Sequence, residues 1–376
     1  MLRHKPWTLT IGITFLLFLS LFFVPVPLKS AEELPGQLSD EAFWRIVSGF
    51  SEDGGYFRSD NFMSNEDTFQ WVIPSLTERT KPGGVYLGVG PEQNFTYIAA
   101  LQSKMAFIID IRRQNMLEHL LYKALFELSP DRADFVSRLF SRKRPAGLDG
   151  NPTPRVMFQA YRSAEPDETL YQENLAAVMT DLTDHHGFRL TSDDKEKIAY
   201  VYRALFEGGP QLTYNAGFNG GQQSQATYMQ LMTTTDQEGQ NRSYLANDEN
   251  FGFIQRLEKQ NLIVPLVGDF AGQKALRAVG LYLKEHDAKV TALYVSNVEQ
   301  YLFQQGDDWS RFYTNVTTLP MDESSTFIRS FSGGFALQVG GRALRWFSTL
   351  GSMADFLTAF NEGRIRSYYD LQQLSR

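Results

Sequence analysis

The sequence predicts an α/β fold: a Rossmann-like, mostly parallel sheet with helices on both faces and a helical insertion part-way along the chain. Two blocks predict it. Residues 83–113, GGVYLGVGPEQNFTYIAALQSKMAFIIDIRR, read as an apolar strand (Val85 to Leu87), a glycine turn, a helix starting near Asn94 and a second strand (Met105 to Ile109) ending on Asp110. The alternation resumes after residue 248, with short apolar strands at 262–267 (LIVPLV) and 289–295, each preceded by a helical pattern. Short apolar runs separated by helices imply a parallel sheet, because a parallel pair needs a crossover long enough to hold a helix. Ligands of such sheets gather at the carboxyl ends of the strands, where Asp110, Asp269 and Asn297 fall.

Chain-wide properties narrow the function. With 376 residues the chain can bury one large core or two modest ones. A net charge of −7 and a pI near 5.4, without a basic stripe, argue against a nucleic-acid partner. The one basic cluster, RLFSRKR at 138–144, reads as a solvated helix end. The absence of cysteine removes disulfides, thiolate metal sites and cysteine nucleophiles. Residues 1–30 read as a signal peptide or N-terminal membrane anchor: Arg3, His4 and Lys5 precede an uncharged run from Pro6 to Leu28. Either reading expects an exported remainder on the periplasmic or extracellular side, with residues 7–28 as the only membrane contact.

Between and around the two blocks, the elements follow from local pattern. In residues 31–82, Ser39 caps an expected helix to Phe50, SEDGGYFRSDNFMSNE is a turn-rich loop, and Ser64 with Asp67 reads as a capping box for a helix bearing Phe69, Val72, Ile73 and Leu76. The loop is either plain surface or a lid carrying Tyr56, Arg58, Asp60 and Asn61 over the glycine turn. Residues 83–128 form the first half of the Rossmann-like domain and close with an amphipathic helix, 115–128. Residues 129–225 form a mainly helical insertion, with Ser129 as a cap before Pro130 and helices near 167–183 and 192–207. His185 and His186, with Asp181 and Asp184, are the only place to suspect a metal; adjacent histidines diverge on a helix, so no metal site is expected there. The loop 211–225 reads as a mobile substrate loop or a solvated connection. In residues 226–376, Asp248 and then Asp307 or Asp308 are expected caps, 325–331 a strand, 332–334 a turn, 335–339 its hairpin partner and 352–361 a final helix stopping at Gly363.

A nucleotide-type unit of this order resembles the class I S-adenosylmethionine-dependent methyltransferases. Those enzymes often carry D-x-G-x-G-x-G before an acid at the end of the second strand. Here Gly88 and Gly90 match the first two glycines, Tyr86 replaces the leading acid, Glu92 stands at the third glycine and Asp110 matches the acid. The resemblance implies S-adenosylmethionine as cofactor. Gly88 and Gly90 would admit its methionine part, with Glu92 and Asn94 beside them; Asp110 would hold the ribose, and Asp269 with Phe270 the adenine. The segment after the fourth strand, Ser296-Asn297-Val298-Glu299-Gln300-Tyr301, takes the place that faces the methyl acceptor. The resemblance therefore assigns Asn297, Glu299 and Tyr301 to the acceptor side, with Asn297 equally readable as a helix N-cap.

Two functional readings follow. One is a methyltransferase-like protein acting on an unspecified acceptor; the other is a catalytically inactive exported binding or scaffold protein that keeps the fold. Tyr86 and Glu92 in the glycine motif favour the second reading, as does an exported location away from cytoplasmic S-adenosylmethionine. A hydrolase ranks last, since there is no G-x-S-x-G elbow and no metal-ligand spacing.

Overall fold

A computed structural model describes residues 33–375 apart from 215–224, 333–337, 340–341 and 344–345. The chain begins with α1 (Asp40–Phe50) and α2 (Ile73–Arg79), then β1 (Val85–Gly88), α3 (Gln93–Leu101), β2 (Met105–Asp110) and α4 (Arg113–Leu128). A helical segment follows: α5 (Arg132–Phe140), α6 (Pro154–Ser163), α7 (Glu168–Thr180), a π turn (Asp181–His185), α8 (Ser192–Gly208) and α9 (Tyr228–Thr233). The second half contains α10 (Asp248–Lys259), β3 (Ile263–Val267), α11 (Ala275–Glu285), β4 (Val290–Ser296), α12 (Val298–Leu302) and α13 (Asp308–Val316). It closes with β5 (Thr326–Ser332), β6 (Gln338–Val339), β7 (Arg342–Ala343), β8 (Trp346–Ser352), α14 (Met353–Asn361) and α15 (Tyr368–Leu374).

The main sheet has six strands in the order β3-β2-β1-β4-β5-β8. The pairs from β3 through to β5 are parallel and only β8 runs antiparallel, against β5. The mostly parallel α/β architecture expected from the two apolar blocks is therefore the one observed. Strands β1, β2 and β3 are buried at every residue, as strands covered on both faces must be. Chain order runs outward from β1 to β2 and β3, then crosses back to β4 on the other side of β1. That reversal leaves a crevice at the carboxyl ends of β1 and β4.

Several local expectations change. Ser64 and Asp67 do not start a helix: α2 begins at Ile73 with Pro74 in its first turn, and the Ser64 hydroxyl instead reaches the buried Gln93 side chain. Asp131, not Ser129, caps α5, accepting from the Asp134 N–H at 2.8 Å. Asn247, not Asp248, caps α10. The antiparallel partner of β5 is β8, while Gln338–Val339 pairs with Arg342–Ala343 in a sheet of its own; the rest of the expected turn and hairpin partner, 333–337, lies outside the described residues. The expected leader, 1–30, also lies outside them. Among the described residues, no helix is long and apolar enough to cross a bilayer.

Helix α4 was expected to be amphipathic, yet polar Asn115, Glu118, His119 and Lys123 are buried along with its apolar face. Cover on every side explains this: His119 meets the Gly90 carbonyl and Lys123 meets the Glu258 carbonyl of α10. The insertion packs on the outer side of α4, with Phe126 and Phe135 stacked at 4.4 Å between ring centroids. Arg113 at the start of α4 donates to both carboxylate oxygens of Asp194, at 2.6 and 2.8 Å. Asp194 also closes the capping box of α8 with Thr191.

At the opposite edge, Glu299 of α12 lies against β5. Arg329 donates to both its oxygens at 2.7 and 3.1 Å, Tyr313 donates at 2.7 Å, and the guanidinium is sandwiched between the Phe327 and Phe356 rings. This corrects the placement of Glu299 on the acceptor side: it is a buried partner that fixes β5 and α13 to the segment after β4. Glu299→Gln leaves the buried Arg329 charge short of its counter-ion and is expected to cost about 3–5 kcal/mol in urea unfolding. The double change Glu299→Leu with Arg329→Met is expected to recover most of that loss, because it removes both charges from an apolar setting.

Candidate functional site

The crevice at the strand ends is a cavity of about 370 Å³, within the range of small-molecule sites. Its floor is built from the turns after β1, β2, β3 and β4, which contribute Gly90, Asp110, Phe270 and Asn297 among others. Its roof is the loop before α2, with Tyr56, Phe57, Arg58 and Asn61. Backbone bonds stitch that loop across the sheet: Glu52 N–H donates to Val267 at 2.9 Å and Gly55 N–H to Ile111 at 2.8 Å. Phe57 then meets Tyr301 edge to face at 5.2 Å. The loop residues expected over the glycine turn thus line the cavity, except Asp60, whose carboxylate accepts from Tyr200 at 3.2 Å.

The glycine turn is held from beneath. Asn94 donates from one amide nitrogen to the carbonyls of Val89, Gly90 and Pro91 at 3.0, 3.0 and 2.7 Å, and accepts from Tyr86 at 2.8 Å. Gly88 packs on this staple, where a Cβ would fall 1.9 Å from the Asn94 Oδ1. Gly90 differs: it has φ +77° and open space where a Cβ would stand, so it alone of the two glycines faces the cavity. His119 lies under the same turn, and burial pushes its pKa down to about 4. It is therefore neutral and donates from Nε2 to the Gly90 carbonyl at 2.9 Å.

Glu92 and Asn94, expected beside a cofactor, do not line the cavity. Glu92 is fully buried and turns inward to accept the Ser64 N–H at 3.2 and 3.3 Å. Burial pushes its pKa up to about 8 against that hydrogen bond. Tyr86, in place of the motif's leading acid, supplies the phenol that orients Asn94. The departures from the glycine motif thus form an internal scaffold for the turn.

Asp110 lines the cavity, but its carboxylate is already engaged. Oδ1 accepts from the Arg112 N–H at 2.9 Å and from its Nε at 3.1 Å, and Oδ2 accepts from a terminal guanidinium nitrogen at 3.0 Å. The other arm of Arg112 donates to the Asp60 and Ser59 carbonyls of the roof. On the far side, Asp269 accepts from the Ala271 N–H at 2.9 Å, and burial raises its pKa. Phe270 stacks on Phe312 with centroids 5.4 Å apart. Asn297 occupies the N-cap position of α12 but makes no side-chain cap bond; at the cavity edge its Oδ1 accepts from the Ser296 hydroxyl at 3.5 Å.

The pattern of the sequence does not single out Glu66. It is buried on the cavity wall and gathers four donors: Tyr294 at 2.7 Å, Ser296 at 2.6 Å, Gln93 at 3.0 Å and Ser348 at 3.4 Å. Burial raises its pKa in spite of them. Ser296 is delivered by a bulge at the end of β4 and has φ +50°, a left-handed conformation that costs a non-glycine residue about 1–3 kcal/mol. Strain of that kind at a strand end beside a cavity is characteristic of functional positions. Nothing local separates Glu66 from its neighbour Asp67; its donors come from α3, β4 and β8.

A family described as a domain of unknown function (DUF7790) matches residues 61–372, from the roof loop to the last helix. The chain belongs to this family. A search of the curated proteins finds no match. The DUF7790 region contains every floor element of the cavity, while the roof residues Tyr56, Phe57 and Arg58 precede it.

The buried acids make the DUF7790 fold sensitive to pH. Glu92 and Glu258 are both raised by burial to about 8, above their unfolded values, so the native state holds protons that the unfolded chain has lost. Their contribution is fully present below the unfolded pKa and is lost as pH rises through about 8, at up to about 1.4 kcal/mol per pH unit for each proton. Urea unfolding midpoints are expected to fall between pH 5 and 8. For Glu92→Gln the fall should be shallower by one proton's worth, and equal slopes would show that Glu92 is ionised in the native protein.

Proposed function

We propose that the cavity binds a nucleoside-class ligand, S-adenosylmethionine being the candidate cofactor, and that the chain is a methyltransferase-like protein with its methyl acceptor on the Asn297 and Tyr301 side. One observation carries this reading: a single cavity joins the carboxyl ends of four parallel strands at the point where strand order reverses, with Gly90, Asp110, Phe270 and Asn297 on its floor. The open space at Gly90 suits the close approach of a ligand chain. Asp110 already has three donors, and a carboxylate offers about four lone-pair sites, so it can accept from one ribose hydroxyl while Arg112 keeps the rest. Bound in this way, S-adenosylmethionine would supply an electrophilic methyl group. The chain's own part is then positioning and exclusion of water. Glu66, through Ser296, is placed to take up the proton an acceptor hydroxyl or amine must lose.

The Arg112 clamp favours a second reading, an exported binding or scaffold protein that keeps the fold without the transfer. An intact leader would take the domain away from the cytoplasmic donor, which supports the same reading.

Calorimetric titration of the full chain with S-adenosylmethionine and S-adenosylhomocysteine tests the proposal. Micromolar binding is expected, weakened at least tenfold by Asp110→Asn and little affected by Glu299→Gln. Binding without turnover across hydroxyl and amine acceptors would favour the scaffold reading. No heat from folded protein with either compound would reject the nucleoside site.

A further inference from the structure

Away from the cavity, where α1, α4 and the π turn meet, one side chain of α4 converges with two from the π turn and its C-cap. Glu127, Asp181 and His186 each offer one ligand atom, and these atoms lie within 4.8 Å of one another. His186 Nε2 is 2.7 Å from Glu127 Oε2 and 3.8 Å from Asp181 Oδ2. The π turn makes this possible. Its i to i+5 bond, from the His186 N–H to the Asp181 carbonyl at 3.0 Å, stacks residues five apart that an α-helix would splay around its axis. Adjacent histidines do diverge as expected: His185 points outward, 74% exposed, and His186 turns in.

The surroundings resemble those of a metal-ligating histidine. Nδ1 of His186 lies 2.6 Å from Asp40 Oδ1, which also accepts from Asn261 at 2.9 Å. A carboxylate on Nδ1, with Nε2 aimed at the other two acids, is the arrangement that orients histidine on metals. Each of those acids has its other oxygen committed elsewhere, Glu127 Oε1 to Lys123 at 2.6 Å and Asp181 Oδ1 to His185 at 3.3 Å. Asp181 Oδ2 has no hydrogen-bond partner, although the residue is only 5% exposed. An unpartnered carboxylate oxygen at that depth is costly, and it faces the imidazole. Three carboxylates, Asp40, Glu127 and Asp181, thus gather around the His186 ring and the one ammonium of Lys123.

We propose that Glu127, Asp181 and His186 form a divalent cation site of the zinc class, with Asp40 holding His186 in the ligating tautomer. A tetrahedral zinc ion with bonds of about 2.0–2.1 Å sets its ligand atoms about 3.3 Å apart, and the two separations of 2.7 and 3.8 Å bracket that value. One nitrogen and two oxygens leave a fourth position for water. The ion ties α4 to the helical insertion, and α1 through Asp40, so its effect is on stability, separate from events in the cavity.

The test uses the full chain in a mild detergent, stripped with a chelator and reloaded with Zn²⁺. Mass spectrometry of metal content and calorimetry are expected to give one ion per chain with micromolar or tighter affinity, and a Tm that rises with Zn²⁺ concentration. Asp181→Asn removes charge from an oxygen that has no partner, so it is expected to fold while weakening Zn²⁺ at least tenfold. Glu127→Gln should do the same, and His185→Ala should bind like the wild type. A folded wild type without stoichiometric Zn²⁺ would overturn the site, leaving His186 as an imidazolium held by Glu127 and Asp40. Unchanged affinity in Asp181→Asn would overturn it equally.

Discussion

The Arg112 guanidinium, buried between the end of β2 and the roof loop, is the contact on which the shape of the cavity depends. One arm is bidentate on Asp110 and the other reaches the Ser59 and Asp60 carbonyls. A buried charge this well paired is costly to disturb from either side, since an unpaired partner loses several kcal/mol. It therefore holds the roof down and fixes the Asp110 carboxylate at once. The same contact decides what the cavity can offer a ligand: a rigid acceptor with one remaining lone pair and an already neutralised charge. A sugar hydroxyl suits that better than a cation.

Around this clamp the domain keeps an unusual amount of polarity inside. Glu66, Glu92, Glu118 and Glu258 are buried carboxyl groups, and burial raises the pKa of each. His119 is driven the other way by the same desolvation. These groups are not equivalent. Glu92 joins the roof to the glycine turn through Ser64, whereas Glu66 faces the cavity with two hydroxyl donors on a strained strand end. Glu66 lies on the cavity wall, whereas Glu92 is sealed under a turn and serves the fold. Position decides between them.

The helical insertion makes the core two layers deep on one side of the sheet. On α4, Lys123 is buried against the Phe43 ring of α1 and the Glu258 carbonyl of α10, and Glu127 beside it meets His186 of the insertion. The polar seam this creates runs to His186 and Asp40. The seam and the cavity lie at different places on the fold and carry different chemistry.

Much of the fold was legible in the sequence because it rests on local pattern. Apolar runs such as MAFIID and LIVPLV, short and flanked by helical patterns, read as strands buried on both faces, the helices between them imply parallel pairing, and Asp110, Asp269 and Asn297 then fall at one edge of one sheet. Ser39 begins α1 where its side-chain oxygen can accept the Ala42 N–H. What local pattern could not decide was which polar residues face one another. Glu299 and Asn94 have the sequence position of ligand contacts, yet one pairs with Arg329 from another strand and the other staples its own turn. Glu66 looks like a loop acid until α3, β4 and β8 surround it. Spacing along the chain determines periodicity and strand ends, whereas hydrogen-bond partners 30 and 282 residues apart, as for Glu299 with Arg329 and Glu66 with Ser348, are chosen only when the sheet closes. That closure, through the desolvation it imposes, decides which charges remain available for chemistry.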